Sequence, residues 1–237
     1  MLAEIEGKVE FVVEVHHRLA EVYGNGIKYF HDLDPLSELV SSLLSHRTKN
    51  RDSGKAFDNL IEQFGSWDTV RDAPTAEVEI AIKPCTWPEQ KAPRIQQVLR
   101  MITEKNGGNL SLDFLSGMNV TDARQWLEEL PGVGPKTSAA VISFSTLRGK
   151  ALPVDSHHFR VAVRLGIIDK KIGEGKANRV LESLLPPDFT AQDVYDNHQV
   201  MMKHGQNVCF HYNPNCEGCV LLDLCPTGKE LIAERQK

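Results

Sequence analysis

The chain has 237 residues, enough for two modest domains or one large one with a real core. Its 41% hydrophobic and 25% charged residues are those of an ordinary globular protein. No apolar run approaches the roughly 20 residues of a membrane span, and the acidic start Met-Leu-Ala-Glu-Ile-Glu is unlike a basic secretory leader, so a soluble, cytoplasmic protein without a membrane partner is expected. The formal net charge of −5 argues against a uniformly basic surface, yet residues 130–168 carry five cations against one acid, a net of +4 that leaves −9 for the rest. Residues 45–55 add Arg47, Lys49, Arg51 and Lys55 against Asp52. A chain so polarised can turn one basic face to phosphate, although either stretch could also be a solvated helix face.

Taken in order, Val12, Val15, Leu19 and Val22 recur at helical spacing over residues 8–22, before Gly24-Asn25-Gly26. Asp34 caps and Pro35 opens a helix whose Leu36, Leu39, Val40, Leu43 and Leu44 define a core face. Phe57, Leu60, Ile61 and Phe64 mark the next helix, stopped by Gly65, and Ser66 caps a short one holding Trp67 and Val70. Residues 80–91 read as a loop with Pro84, Trp87 and Pro88, followed by a helix on Ile95, Val98, Leu99 and Ile102 that ends at Asn106-Gly107-Gly108. A short helix over 111–117 and one from a Thr121 cap to Leu130 follow. Helices near 157–165, 174–185 and 191–205 complete an all-α pattern without alternating strands or repeats.

Between the helices flanking residue 131 the chain reads Leu-Pro-Gly-Val-Gly-Pro-Lys-Thr-Ser. Pro131, Gly132 and Gly134 end one helix, and Pro135 suits the first turn of the next. Glycine amides and the unpaired N–H groups of that second helix can grip a phosphate, although a plain helical turn with capping glycines has the same composition. Lys136 stands at that positive helix end, a placement that favours its neutral, nucleophilic form. Asp155 follows Pro153-Val154 and precedes Ser156, where a carboxylate caps the next helix. His157 and His158 adjoin it but diverge by about 100° on a helix, so one packs while the other meets phosphate or solvent.

Four of the five cysteines fall within seventeen residues as Cys209-x6-Cys216-x2-Cys219-x5-Cys225. Soft thiolates so close suit iron–sulfur or zinc, and a zinc ribbon would ordinarily present two Cys-x2-Cys knuckles where this spacing has one. Structural disulfides are not expected without an export signal. Cys85 stands alone and reads as a buried or half-buried thiol.

Leu130 to Ser138, with Val154-Asp155-Ser156-His157-x-Phe159-Arg160-Val161, resembles the signature of the helix-hairpin-helix DNA glycosylases and is most similar to the endonuclease III branch. The resemblance runs over nearly the whole chain. It implies a six-helix barrel of about residues 28–149 with the helix-hairpin-helix at about 122–147, and a second lobe of 1–27 and 150–237 whose 209–225 loop holds a [4Fe–4S] cluster on the four cysteines. It implies base-excision repair by a bifunctional DNA glycosylase and abasic-site lyase acting as a monomer on double-stranded DNA. In that reading an extruded base, an oxidised pyrimidine by default, occupies the cleft between lobes. Lys136 attacks the sugar C1′ from one wall, and Asp155 stabilises the developing positive sugar from the other. Gly132, Val133, Gly134 and Thr137 meet the phosphate backbone, and His157 and Arg160 adjoin it. Arg47 falls where the family inserts a residue into the gap left by the base, although one more phosphate-facing arginine would look the same. Trp87 falls near the family's wedge residue, in a loop whose prolines depart from the family pattern, and a tryptophan so flanked also serves to pin a loop to a core. A monofunctional glycosylase for mismatched thymine, uracil or alkylated bases, an abasic-site lyase alone, and a non-catalytic DNA-binding or redox-sensing protein stay open as alternatives.

Overall fold

The computed structural model describes Leu2–Gln236; Met1 and Lys237, the outermost residues of the two terminal segments assigned above, lie outside the described residues. The described residues form twelve α-helices, three short 3-10 turns and no strand, the all-α chain expected. They divide into two compact units, Phe30–Gly149 and Met1–Tyr29 with Lys150–Lys237. In chain order the helices are α1 (Leu2–Tyr23), α2 (Pro35–Ser45), α3 (Asn50–Phe64), α4 (Trp67–Asp72), α5 (Thr75–Ala81) and α6 (Pro88–Lys105). They continue with α7 (Val120–Glu128), α8 (Pro135–Phe144), α9 (Ser156–Arg164), α10 (Glu174–Ser183), α11 (Ala191–Asn207) and α12 (Pro226–Arg235). None is long and apolar enough to cross a membrane.

The Phe30–Gly149 unit is built around α2. Asp34 accepts hydrogen bonds from the Leu36 and Ser37 N–H groups at 2.9 and 3.1 Å, and Pro35 occupies a first-turn position that needs no donor. Leu36, Leu39, Val40, Leu43 and Leu44 are all buried, with α3, α6 and α8 packed around them. Gly65 ends α3 with φ 71°, a left-handed residue that a side chain would strain.

Several boundaries differ from the sequence expectation. Helix α6 starts at Pro88 rather than near Ile95, because Pro88 fits a first turn and Pro93 forfeits only one main-chain bond. Helix α5 covers a stretch with no helix expected and runs into the first residues of the expected loop, and its seven residues send only Val78 and Ala81 inward, too few to reveal a period. The cap of α7 is Asn119, whose side chain accepts from the Asp122 N–H at 2.9 Å, so Thr121 is already helical. Val22, read as part of the apolar face of α1, is 52% exposed in its last turn.

In the other unit Val12, Val15 and Leu19 of α1 share a core with Val161 and Ala162 of α9, Leu181 of α10, and Val194, Val200 and Met201 of α11. Helices α9 and α11 approach so closely that a Cβ on Gly205 would stand 2.8 Å from His157 Cβ and 3.1 Å from its carbonyl oxygen. A backbone neighbour cannot swing aside as a flexible side chain would. Alanine gains about 1 kcal/mol over glycine inside a helix, whereas overpacking costs about 1–3 kcal/mol. Gly205→Ala is therefore expected to lower the melting temperature by a few degrees in a thermal scan; a rise would show that α9 can move away freely.

Candidate active site

The hairpin between α7 and α8 is held from inside. Leu130 and Val133 are buried, Gly132 turns the chain with φ 82°, and Gly134 begins α8 with no side chain capping it. Beneath the turn Ser138 donates to Glu128 at 2.7 Å, and the buried Arg124 reaches the Ser138 hydroxyl and the Pro135 carbonyl, both at 3.4 Å. That buried network fixes α7 on α8 and leaves the first N–H groups of α8 free of side-chain caps, the condition for gripping an anion. Lys136 is exposed on this first turn. The side chains of Val133 and Thr137 are buried, so a phosphate contact from either falls to its main chain.

The C-terminus of α2 lies against this hairpin. Lys91 of α6 is only 7% exposed, and its ammonium donates to the Leu44 and His46 carbonyls at 2.6 and 2.8 Å and to Thr48 Oγ1 at 2.7 Å. Those bonds satisfy the last carbonyls of α2 and hold a sharp turn in which Arg47 takes a left-handed φ of 51°. His46 Nε2 then lies 3.0 Å from Thr137 Oγ1, next to Lys136 in sequence. Burial, with Lys136, Lys91 and Arg94 nearby, lowers the His46 pKa to about 4. Sequence reasoning passed over His46 and Lys91, because Lys91 was read as the end of a loop and nothing in the sequence marks a lysine as buried.

Arg47 and Trp87 line one recess in this unit with His46, Gln90, Arg94 and the apolar Leu43 and Ile95. Trp87 has a left-handed φ of 55° and is 48% exposed. The stem of Arg94 passes over the hairpin, where a Cβ on Gly132 would meet its Cδ at 2.9 Å. Cys85 is buried beside the Leu44 carbonyl, and burial raises its thiol.

In the other unit Asp155 caps α9, its Oδ1 accepting from the His158 N–H at 2.8 Å. Burial pushes its carboxyl up, but His198, the His158 N–H and the His158 and His157 rings outweigh that and hold it below the ordinary carboxylate range. His158 is buried, with burial and His198 lowering it to about 3, and its ring lies over that of His198. His157 is half-buried and pairs with Arg160 at 3.1 Å. The Arg160 guanidinium also donates to the Gly205 and Cys209 carbonyls at 2.7 and 2.9 Å, so it ties α9 to the start of the cysteine loop.

Cys209, Cys216, Cys219 and Cys225 are free thiols lining one cavity of this unit. Each of three sulfurs has an N–H neighbour: Arg164 to Cys209 at 3.2 Å, Leu221 to Cys219 at 3.4 Å and Gly228 to Cys225 at 3.3 Å. Burial and the other three sulfurs raise the Cys219 thiol, the mark of sulfurs within electrostatic reach of one another. As they stand, no three His, Cys, Asp or Glu side chains among the described residues are grouped to hold a metal ion.

The His46 environment has a pH consequence. A histidine takes up a proton near pH 6.5 in the unfolded chain but only near pH 4 in the fold, so its contribution to stability is present above 6.5 and is lost as pH falls toward 4. His46→Gln keeps an amide for Thr137 without the titration. In urea unfolding the wild type is expected to lose more stability between pH 7 and pH 5 than the variant; equal losses would remove His46 from the account.

Residues 40–187 match the sequence pattern described as the HhH-GPD superfamily base excision DNA repair protein. Endonuclease III of Thermotoga maritima is 31% identical over 194 residues, spanning 82% of this chain and 84% of that protein. Among solved structures, a non-covalent endonuclease III–DNA complex superposes with a TM-score of 0.79 at 24% identity, covering 95% of this chain and 98% of the other. A thermostable thymine-DNA glycosylase superposes at 0.74 with 22% identity over the same shares. With a hairpin of this construction inside the matched region, the chain belongs to the HhH-GPD superfamily of base excision DNA repair proteins.

Proposed function

We propose that the protein is an endonuclease III-like DNA glycosylase with abasic-site lyase activity, working as a monomer on damaged double-stranded DNA in the cytoplasm. One observation carries the reading: an exposed lysine on the uncapped first turn of α8, with free main-chain donors beside it to hold a phosphate. Its amine attacks C1′ of an extruded nucleotide, forming a C–N bond as the glycosidic bond breaks and the base leaves with its electron pair. Opening of the sugar gives a Schiff base. Loss of a C2′ proton then expels the 3′ phosphate. Asp155, held ionised by its capping bond and neighbouring histidines, supplies the negative charge that stabilises the positive sugar. Extrusion costs a few kcal/mol and is cheapest at damaged or mismatched pairs.

The four cysteines fit a [4Fe–4S] cluster. All four line one cavity, and their spacing has one Cys-x2-Cys knuckle where a zinc ribbon ordinarily has two. N–H groups beside three of them offset thiolate charge. When bound, the cluster supplies a rigid cross-link. Arg160 and Arg164 tie α9 to the loop that would hold it.

Two experiments test these assignments. Borohydride reduction during reaction with an abasic-site duplex should trap the wild type covalently and leave Lys136→Gln free; trapping of the variant at the wild-type rate would remove Lys136 as nucleophile. Protein purified without oxygen should be brown and carry iron and acid-labile sulfide in equal amounts, and Cys219→Ser should lose both. A colourless wild type containing zinc would overturn the cluster.

A further inference from the structure

In the unit made from the two ends of the chain, a groove opens between α1, the turn after it and the start of α11. Glu21, Asp188, Asp193 and Asp196 line it, and no lysine or arginine does. Asp196 is 4% exposed, yet its donors are all neutral: the Gly26 and Ile27 N–H groups at 2.6 and 3.0 Å and the Gln192 amide at 2.7 Å. Asp193 accepts at Oδ2 from the Thr190 N–H and hydroxyl at 2.7 and 2.6 Å, and its Oδ1 has no partner among the described residues. Glu21 and Asp188 are exposed, and their side chains make no hydrogen bond or ion pair with other described residues. Lys150, a cation within electrostatic reach of Asp193, donates to the Pro187 carbonyl at 2.8 Å.

A buried histidine separates this groove from a plain acidic surface. His16 lines it at 8% exposure, and its Nδ1 is buried with no hydrogen-bond partner among the described residues. Such orphaned atoms are rare, because water or a partner group ordinarily satisfies them. Burial, with His17 alongside, outweighs Asp196 and Asp193 and lowers the His16 pKa, so the ring is neutral at pH 7 and keeps an acceptor nitrogen. Its centroid lies 5.3 Å from that of Phe189 and 5.9 Å from that of His17, which puts ring faces and carboxylates in one groove. The groove encloses about 1370 Å³, more than the roughly 300–1,000 Å³ of small-molecule sites, and suits a length of chain. A metal ion does not suit it, since no three His, Cys, Asp or Glu side chains among the described residues are grouped to hold one. Nucleic acid does not suit it either, because carboxylates repel phosphate.

We propose that this groove docks an arginine-bearing segment of a partner protein. A guanidinium carries donors and no acceptor, which matches a lining of carboxylates and a neutral imidazole, and its flat face stacks on a ring such as Phe189. An ammonium would meet the carboxylates as a point charge and gain less from the rings. Glu21, Asp188 and the unpartnered Asp193 Oδ1 are the anionic contacts open to the segment, while Asp196 supplies charge from below without giving up its own bonds. The inference goes beyond the glycosylase reading and does not depend on it.

The test titrates short fluorescein-labelled peptides, alternating glycine with arginine or with lysine, against the full chain at physiological salt, with binding read by fluorescence anisotropy. The wild type is expected to bind the arginine peptide about fivefold or more tightly than the lysine peptide, the margin that stacking and the planar fork add to charge. Glu21→Gln with Asp188→Asn removes two exposed charge contacts and should weaken the arginine peptide roughly fivefold to tenfold. Glu62→Gln with Glu77→Gln makes the same change of charge on α3 and α5 and should leave binding as it was. Phe189→Leu keeps an apolar side chain without a ring face, so it should bring the arginine peptide toward the level of the lysine peptide. Equal wild-type affinities for the two peptides, no binding of either, or equal weakening by the two double variants would each overturn the proposal. Displacement of the arginine peptide by an equal concentration of spermine would also overturn it and mark a site for small polyamines. Because no step involves DNA, failure of the glycosylase reading is seen separately in the borohydride experiment.

Discussion

The Phe30–Gly149 unit depends on one buried ammonium. Lys91 gives its three donors to two carbonyls and a hydroxyl at the end of α2. Removing a lysine head from water costs several kcal/mol unless its hydrogen bonds are replaced, and here all three are. The return is positional. The bonds stop α2, fold residues 46–48 back, send His46 to Thr137 at the foot of the hairpin, and leave Arg47 outside on strained backbone. Remove that ammonium and the buried Leu44 carbonyl and the part-buried His46 carbonyl lose their donor at the point where α2 meets α8.

The second unit reaches rigidity through close approach and capping. Gly205 lets α11 lie against the His157 backbone, and Arg160 bonds across to the same stretch. Asp155 caps the helix that this packing fixes, so its carboxylate is oriented by the His158 N–H. One group thus serves as cap and as candidate catalytic carboxylate. A helix N-terminus and neighbouring imidazoles hold a carboxylate ionised, which both roles require.

Much of the fold was legible because it follows local rules. Asp34-Pro35, Gly65 and Pro135 mark helix ends through donors they lack or dihedrals they permit, and α2 and the Ile95–Ile102 face repeat at helical spacing. The failures also have local causes. Pro88 and Pro93 flank residues that read as a loop, although a proline in the first turn and another just beyond it leave a helix intact. Asn119 outcompeted Thr121 as a cap because its carboxamide reaches the Asp122 N–H, a choice between two good caps that composition leaves undecided.

The candidate site divides along the same line. Residue type and spacing alone marked the glycine turn, Lys136 on a first helical turn, Asp155 at a cap and four thiols in one loop, because each is a statement about neighbours along the chain. That Lys91 is buried, that His46 meets Thr137 ninety-one residues away, and that Arg47 and Trp87 share a recess were decided only when α2, α6 and α8 packed together. Burial and through-space electrostatics depend on which helices pack side by side, and a linear pattern carries no record of that.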